Sequence, residues 1–275
     1  MFVPGLSFDL SVPRVMGILN VTPDSFSDGG RFVGLDAAMA QAERMVAEGA
    51  DILDIGGEST RPGAAAVSLD EEIARVLPVI ERLHATFEIP VSIDTSKPEL
   101  MRAAVDAGAG MINDVCALAA PGAIAAAADT GVPVCLMHMQ GEPRTMQTAP
   151  QYADVVADII GYLGERVAAC EAGGVARERL LIDPGFGFGK TLEHNLALLR
   201  RLREFQRLAL PLLVGISRKS MLGSLTGRPV EERLPASVAA AVMAIERGAR
   251  IVRVHDVAAT VDAVKLWRAV ENPGS

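Results

Sequence analysis

Aromatic side chains are scarce, at 4% of 275 residues, with one tryptophan and two tyrosines. Single-stranded nucleic acids are bound largely by stacking bases on such rings, so a strand-binding groove is not expected. Surplus positive charge is also missing: 26 Lys and Arg face 34 Asp and Glu, a net charge of −8. A broad nucleic-acid-binding face normally makes a domain basic, so no nucleic-acid partner is expected, although a small basic pocket for an anionic substrate stays compatible. Only three cysteines occur, Cys116, Cys135 and Cys170, and none form a C-x-x-C pair. An odd, sparse count predicts reduced thiols and a cytoplasmic location. Long apolar runs are absent too: none approaches the ~18 residues that span a bilayer. Residues 1–12 carry Pro4 and Asp9 and lack the basic and apolar regions of a signal peptide. No membrane partner is expected. No linker, charge block or composition break divides the chain, so a single domain is predicted over 1–275.

What is present is alternation. Half the residues are hydrophobic, enough for a large core. Eight short runs are apolar at consecutive positions: 15–19, 52–55, 91–93, 111–112, 134–137, 180–182, 212–216 and 251–254. Such runs suit strands buried on both faces of a parallel sheet. Between them, 36–48, 70–87, 152–170, 192–202, 233–246 and 257–267 carry apolar residues at helical spacing, and 98–107 and 121–129 are shorter and Ala-rich. Pro98 and Pro121 fit early helix positions, and Gly49, Gly108, Gly131, Gly173 and Gly248 fit the stops. Eight strands, each followed by a helix, in about 250 residues is the arithmetic of an α/β fold of the (β/α)8 TIM-barrel type. A doubly wound open sheet is the alternative. In the barrel reading, 13–268 form the barrel and 1–12 an N-terminal extension.

Barrels place active sites at the C-terminal ends of their strands, which turns the strand order into a candidate site. The ends carry Asn20, then Asp54 and Glu58, Asp94, Asn113, His138, Asp183, Ser217-Arg218-Lys219-Ser220 and Arg253 with His255. A solvated rim with helix caps is the bland reading, and Asp94, four residues before Pro98, is a plausible cap. Yet buried polar groups are costly unless paired, so eight converging polar ends call for one another or a ligand. Asp94, Asn113 and Asp183 offer carboxylate acceptors and an amide, which suits a flat heterocycle with amino, N–H and carbonyl groups. Arg61, Arg218, Lys219, Arg253 and His255 form a local basic group that implies a phosphate or carboxylate. Long loops rich in Gly, Ser and Pro after the first two strands are candidate lids. The run from Gly185 to Thr191 only imitates a P-loop, because the required first glycine is Pro184. The four histidines lack metal-site spacing, so a tightly held zinc is not expected.

Taken together, the stretches 16–30, 54–63, 136–139, 183–190, 217–220 and 253–256 closely resemble, in order, the motifs of the dihydropteroate synthases, bacterial monofunctional forms above all. The resemblance covers about 5–268. It implies an enzyme of folate synthesis that joins 4-aminobenzoate to 6-hydroxymethyl-7,8-dihydropterin diphosphate. It also implies residue roles. Asp94, Asn113, Asp183 and Lys219 would hold the pterin, with Met137, Gly187, Phe188 and Gly215 around the ring. Asn20 would bind Mg²⁺, the implied cofactor, and the diphosphate, which Thr60, Arg253 and His255 also hold. Phe26, Thr60, Arg61, Pro62, Phe188, Lys219 and Ser220 would shape the aminobenzoate site. Asp28, Lys219 and Arg61 would serve catalysis, Asp28 facing developing positive charge. A homodimer formed through C-terminal helices is implied by the resemblance alone. The closest rival, the methyltetrahydrofolate methyltransferases, resembles the Asp/Asn/Asp pocket but not the two lid motifs. A second rival, a paralogue that only binds pterin, would be expected to have lost residues such as Asn20, Asp28 or Lys219.

Overall fold

Strands covered on both faces need two apolar layers, one outside against helices and one inside against other strands. The computed structural model, which describes residues 3, 9–21, 30–59, 66–141 and 145–271 (side chains of 30–33 excepted), supplies both. Eight parallel strands pair in chain order into a closed barrel. They are β1 Arg14–Asn20, β2 Ile52–Gly56, β3 Val91–Asp94, β4 Met111–Asp114, β5 Val134–Met137, β6 Leu180–Asp183, β7 Leu212–Val214 and β8 Ala249–Val254. The helices are α1 Gly30–Ala47, α2 Leu69–Thr86, α3 Pro98–Asp106, α4 Ala123–Thr130, α5 Val155–Ala172, α6 Leu192–Arg200, α7 Ser220–Thr226, α8 Leu234–Glu246 and α9 Val257–Glu271.

The interior explains where chemistry can sit. Met16, Ile52, Met111, Cys135, Leu181, Leu213 and Ile251 form one buried cluster inside the barrel, closed from below by Val3 and Leu10. Side chains two apart along a strand share a face. The next inward layer is therefore Ile18, Asp54, Asn113, Met137, Asp183, Gly215 and Arg253. The lower half of the barrel is hydrocarbon and the upper half is polar. This change of character between adjacent layers gives the site its floor.

Helix ends follow local chemistry. Ser68 caps α2 by accepting from the Glu71 N–H at 3.3 Å, and Asp154 caps α5. Thr191 and His194 form a reciprocal capping box on α6. The structure departs from the sequence pattern most visibly between β7 and β8 and at three element ends. Two helices, α7 and α8, separate β7 from β8. The seven-residue α7 is too short to show periodicity. Helix α1 starts at Gly30 instead of 36. Pro121 precedes α4, whose cap is Gly122 at φ 84°, a left-handed conformation that glycine tolerates and that turns the chain just before the helix. Finally, β7 stops at Val214, leaving Gly215 and Ile216 in the loop. Among the described residues, no helix is long and apolar enough to cross a membrane.

Candidate active site

Asp94 and Asn113 are register neighbours at the ends of β3 and β4, and Met137 and Asp183 at the ends of β5 and β6. Asn113, Met137 and Asp183 are all buried. Arg253, on β8, crosses the floor. Its Nε donates to Asp54 Oδ2 at 2.5 Å and its Nη2 to Asp94 Oδ2 at 2.9 Å. Burial opposes the charge of Arg253, but Asp54 and Asp94 outweigh that and raise its pKa. The arginine thus lies within the acidic floor beneath the heterocycle site, with two of its nitrogens engaged there. Asp94 is pushed up to about 7, because burial and the neighbouring Asp54 outweigh the pull of Arg253. The reading of Asp94 as a cap finds no support: α3 is entered through Lys97, without a side-chain cap bond.

The opposite wall comes from the loops after β6 and β7. Asp183 Oδ1 accepts from the Gly185 N–H at 2.7 Å, and burial pushes its pKa up although Lys219 pulls it down. Lys219 donates to the Phe186 carbonyl and lies 4.5 Å from the centre of the Phe188 ring. Burial draws Lys219 down to about 8, against the pull of Asp183. Gly187, at φ 80°, leaves room for this side chain: a Cβ there would lie 3.1 Å from Lys219 Cδ. Gly185 is still more constrained, since its Cβ would meet the His138 carbonyl oxygen at 1.9 Å. Gly215 faces Arg253 and Lys219, and Ser220 opens α7 at an exposed position. His255 meets Ser217 Oγ through its backbone N–H at 3.2 Å and its Nδ1 at 3.1 Å. Arg218 is ion-paired with Asp256, so it is drawn away from the basic group that the sequence placed there.

Asn20 ends β1 beside Gly56, and its Oδ1 lies 3.6 Å from where a Gly56 Cβ would stand. Among the described residues there is no cluster of three or more His, Cys, Asp or Glu that would hold a metal. One amide oxygen on an open wall fits a Mg²⁺ that arrives on a diphosphate and keeps several waters, rather than a resident ion in a protein cage. Phe26, Asp28, Thr60, Arg61 and Pro62 lie outside the described residues. The base of their second loop is described. Glu58 accepts from the Val67 N–H at 3.2 Å and from Lys97 Nζ at 2.6 Å, and Lys97 also pairs with buried Glu72.

Sequence reasoning missed several members. Lys97, Glu72 and Lys190 are part of this frame, their only signal a charged residue inside an apolar stretch or beside a motif, and Asp54, legible as a polar strand end, had no role assigned to it.

Comparison with known proteins agrees with this geometry. The model of the family described as pterin binding enzyme matches residues 16–255. The dihydropteroate synthase of Escherichia coli (strain K12) is 57% identical over 269 residues, which is 98% of this chain and 95% of that protein. The Yersinia pestis dihydropteroate synthase, solved as a sulfonamide drug complex, superposes with a TM-score of 0.93 at 53% identity, covering 98% of both chains. The Xanthomonas albilineans dihydropteroate synthase has been solved with 4-aminobenzoic acid (TM-score 0.92, 57% identity, 96% of this chain and 95% of that one). Its complex with 7,8-dihydropteroate gives a TM-score of 0.88 at 54% identity, with 96% of each chain covered. A polar barrel floor, the motif order and full-length similarity converge: the chain belongs to the dihydropteroate synthases of the pterin-binding enzyme family.

Proposed function

We propose that the protein condenses 6-hydroxymethyl-7,8-dihydropterin diphosphate with 4-aminobenzoate, giving 7,8-dihydropteroate and diphosphate. The observation that carries this reading is the floor itself. Asp94, Asn113 and Asp183 close three strands at the C-terminal end of the barrel, and Lys219, whose charge Asp183 supports, lies over the Phe188 ring. Acceptors of this kind match the amino and ring N–H groups of a pterin.

The chemistry follows from the charges. The bond from the exocyclic methylene to the diphosphate oxygen breaks first, and the electron-rich dihydropterin carries the positive charge left behind. Buried carboxylates stabilise that charge strongly because the site has little solvent screening. The aryl amine then forms the C–N bond and gives up its proton. An amine of low basicity needs positioning more than activation, and no protein nucleophile is required. Mg²⁺, held by Asn20 and the diphosphate, would supply charge neutralisation for the leaving group. Arg61, Lys219 and Ser220 suit the aminobenzoate, and Thr60 and His255 the diphosphate. Sulfonamides, which imitate the aminobenzoate, are expected to compete with it. We place the enzyme in the cytoplasm as a homodimer.

The direct test is diphosphate release by purified protein with Mg²⁺ and the dihydropterin diphosphate. Turnover that depends on 4-aminobenzoate and yields dihydropteroate is expected. Binding without turnover would instead support a pterin-binding paralogue. A pH profile provides a second check. Asp94 must be ionised to accept N–H groups, and Lys219 must be protonated to act as a cation. Pterin affinity should therefore fall below about pH 7 and again above about pH 8, with the two limbs belonging to the coupled site as a whole. A flat profile from pH 6 to 9 would contradict these assignments.

A further inference from the structure

Asp54 is fully buried one layer below the end of β2. Its Oδ2 accepts from Arg253 Nε at 2.5 Å and from Asn113 Nδ2 at 3.1 Å. Its Oδ1, together with Asp94 Oδ1 and Ser92 Oγ, has no hydrogen-bond partner among the described residues. Asp54 and Ser92 are register partners on β2 and β3, and Asp94 lies two residues beyond Ser92. Buried polar atoms without partners are rare in folded proteins. Three on two adjacent strands mark a floor arranged for something other than packing.

We propose that Asp54 is a positioning residue for pterin recognition: it fixes which end of the Asn113 amide faces the pocket, and it holds Arg253 against Asp94. This rests on the pterin-condensing reading above. The orientation follows from donor and acceptor chemistry. A carboxylate paired with a guanidinium offers only acceptors, so the Asn113 atom turned towards it must be the NH₂ group. That leaves Asn113 Oδ1 as an acceptor for the ligand. With the carboxylates of Asp94 and Asp183, the pocket then presents an all-acceptor set to amino and ring N–H groups. Without Asp54 the amide can turn over, and a donor would confront a donor. Gly56, level with Asp94 at the end of β2, adds no side chain above Asp54: a Cβ there would lie 3.8 Å from Asp94 Cβ and 3.6 Å from Asn20 Oδ1.

The test is a double-mutant cycle on pterin affinity, measured by calorimetry with 6-hydroxymethyl-7,8-dihydropterin diphosphate on the full chain. Asn113→Ala and Asp54→Ala are each expected to weaken binding roughly tenfold or more. The double variant should lose clearly less than the product of the two single losses, because both act through one amide and only the hold of Asp54 on Arg253 adds to it. Asp54→Asn keeps an oxygen that accepts both bonds, so its affinity should stay within about threefold of the parent. KM for 4-aminobenzoate should be unchanged throughout. Additive losses in the cycle, or a tenfold loss in a folded Asp54→Asn, would overturn the proposal. If Asp54→Ala does not fold, Asp54→Ser, one atom shorter than the carboxylate, replaces it in the same cycle. A parent protein that binds no pterin would overturn the underlying reading instead, and the two failures are therefore distinct.

Discussion

Asp183→Ala should raise the dissociation constant for the dihydropterin substrate by two to three orders of magnitude, the largest binding loss of any single floor substitution. Three effects add up at this carboxylate. It is an acceptor at the end of β6, where the heterocycle must lie, it takes the Gly185 N–H at 2.7 Å, and it is the carboxylate that most supports the charge of Lys219. Each buried N–H left without its charged acceptor costs about 1–3 kcal/mol or more, and about 1.4 kcal/mol is tenfold in affinity. Lys219, already drawn to about 8 by burial, would lose the partner that resists the shift. Its charge would then be lost at a lower pH, and the alkaline limb of the pH profile should move down. Asp183→Asn discriminates between causes. It preserves shape and can still accept from Gly185, yet it offers an NH₂ group where a ligand N–H needs an acceptor. It should therefore bind almost as poorly as Asp183→Ala. Calorimetry with the pterin substrate alone measures both. If Asp183→Ala bound within threefold of the parent, the heterocycle would have to lie elsewhere.

Much of this site can be read from the chain because barrel topology converts order into position. A residue closing an apolar run must stand on the rim, so Asp94, Asn113 and Asp183 are legible as a group from the sequence alone. The eight runs match the eight strands to within two residues at either end, the widest differences being at the C-terminal sides of β4 and β7 and the N-terminal side of β8. What was illegible is pairing. Nothing in the order of residues shows that Arg253 reaches across to Asp54 and Asp94. The same letters read as a basic patch for an anion, and for Arg218 that patch is an ion pair with Asp256. Asp54 reads as a strand end, although the structure places it within the strand, with Gly56 as its end. Short helices escape for a different reason. The seven residues of α7 offer barely two turns, too few for a period to emerge. The aminobenzoate side, for which Phe26, Thr60, Arg61 and Pro62 are proposed, is legible only as motif resemblance.

Acid should destabilise the fold through His138. Lys190 is buried at 3% exposure, and its Nζ meets the Phe188 carbonyl at 2.8 Å, His138 Nδ1 at 3.0 Å and the His138 carbonyl at 3.4 Å. Burial draws Lys190 down from its ordinary pKa, but as an ammonium it has only donors to offer to these three acceptors, so Nδ1 is then the unprotonated acceptor. The two tyrosines of the chain pack around the same ring, at 6.0 Å for Tyr152 and 5.0 Å for Tyr162. Burial, reinforced by the charge of Lys190, draws His138 down from 6.5 to about 3. Between those values the unfolded chain takes up a proton that the folded chain refuses. Stability is therefore lost as pH falls below about 6.5, by roughly 1.4 kcal/mol per unit. From pH 6.5 to 5, before most carboxylates titrate, the loss is about 2 kcal/mol, a large fraction of the 5–15 kcal/mol typical of a domain. In His138→Gln an amide oxygen can still accept from Lys190, while the titration disappears. Urea unfolding at pH 6.5 and 5 should show the parent losing about 2 kcal/mol more than this variant. Equal losses would mean that the folded protein accepts the proton at His138 and that Lys190 gives up this contact. The consequence would reach the site, because Lys190 also holds the Phe188 carbonyl, and Phe188 is the ring beneath Lys219.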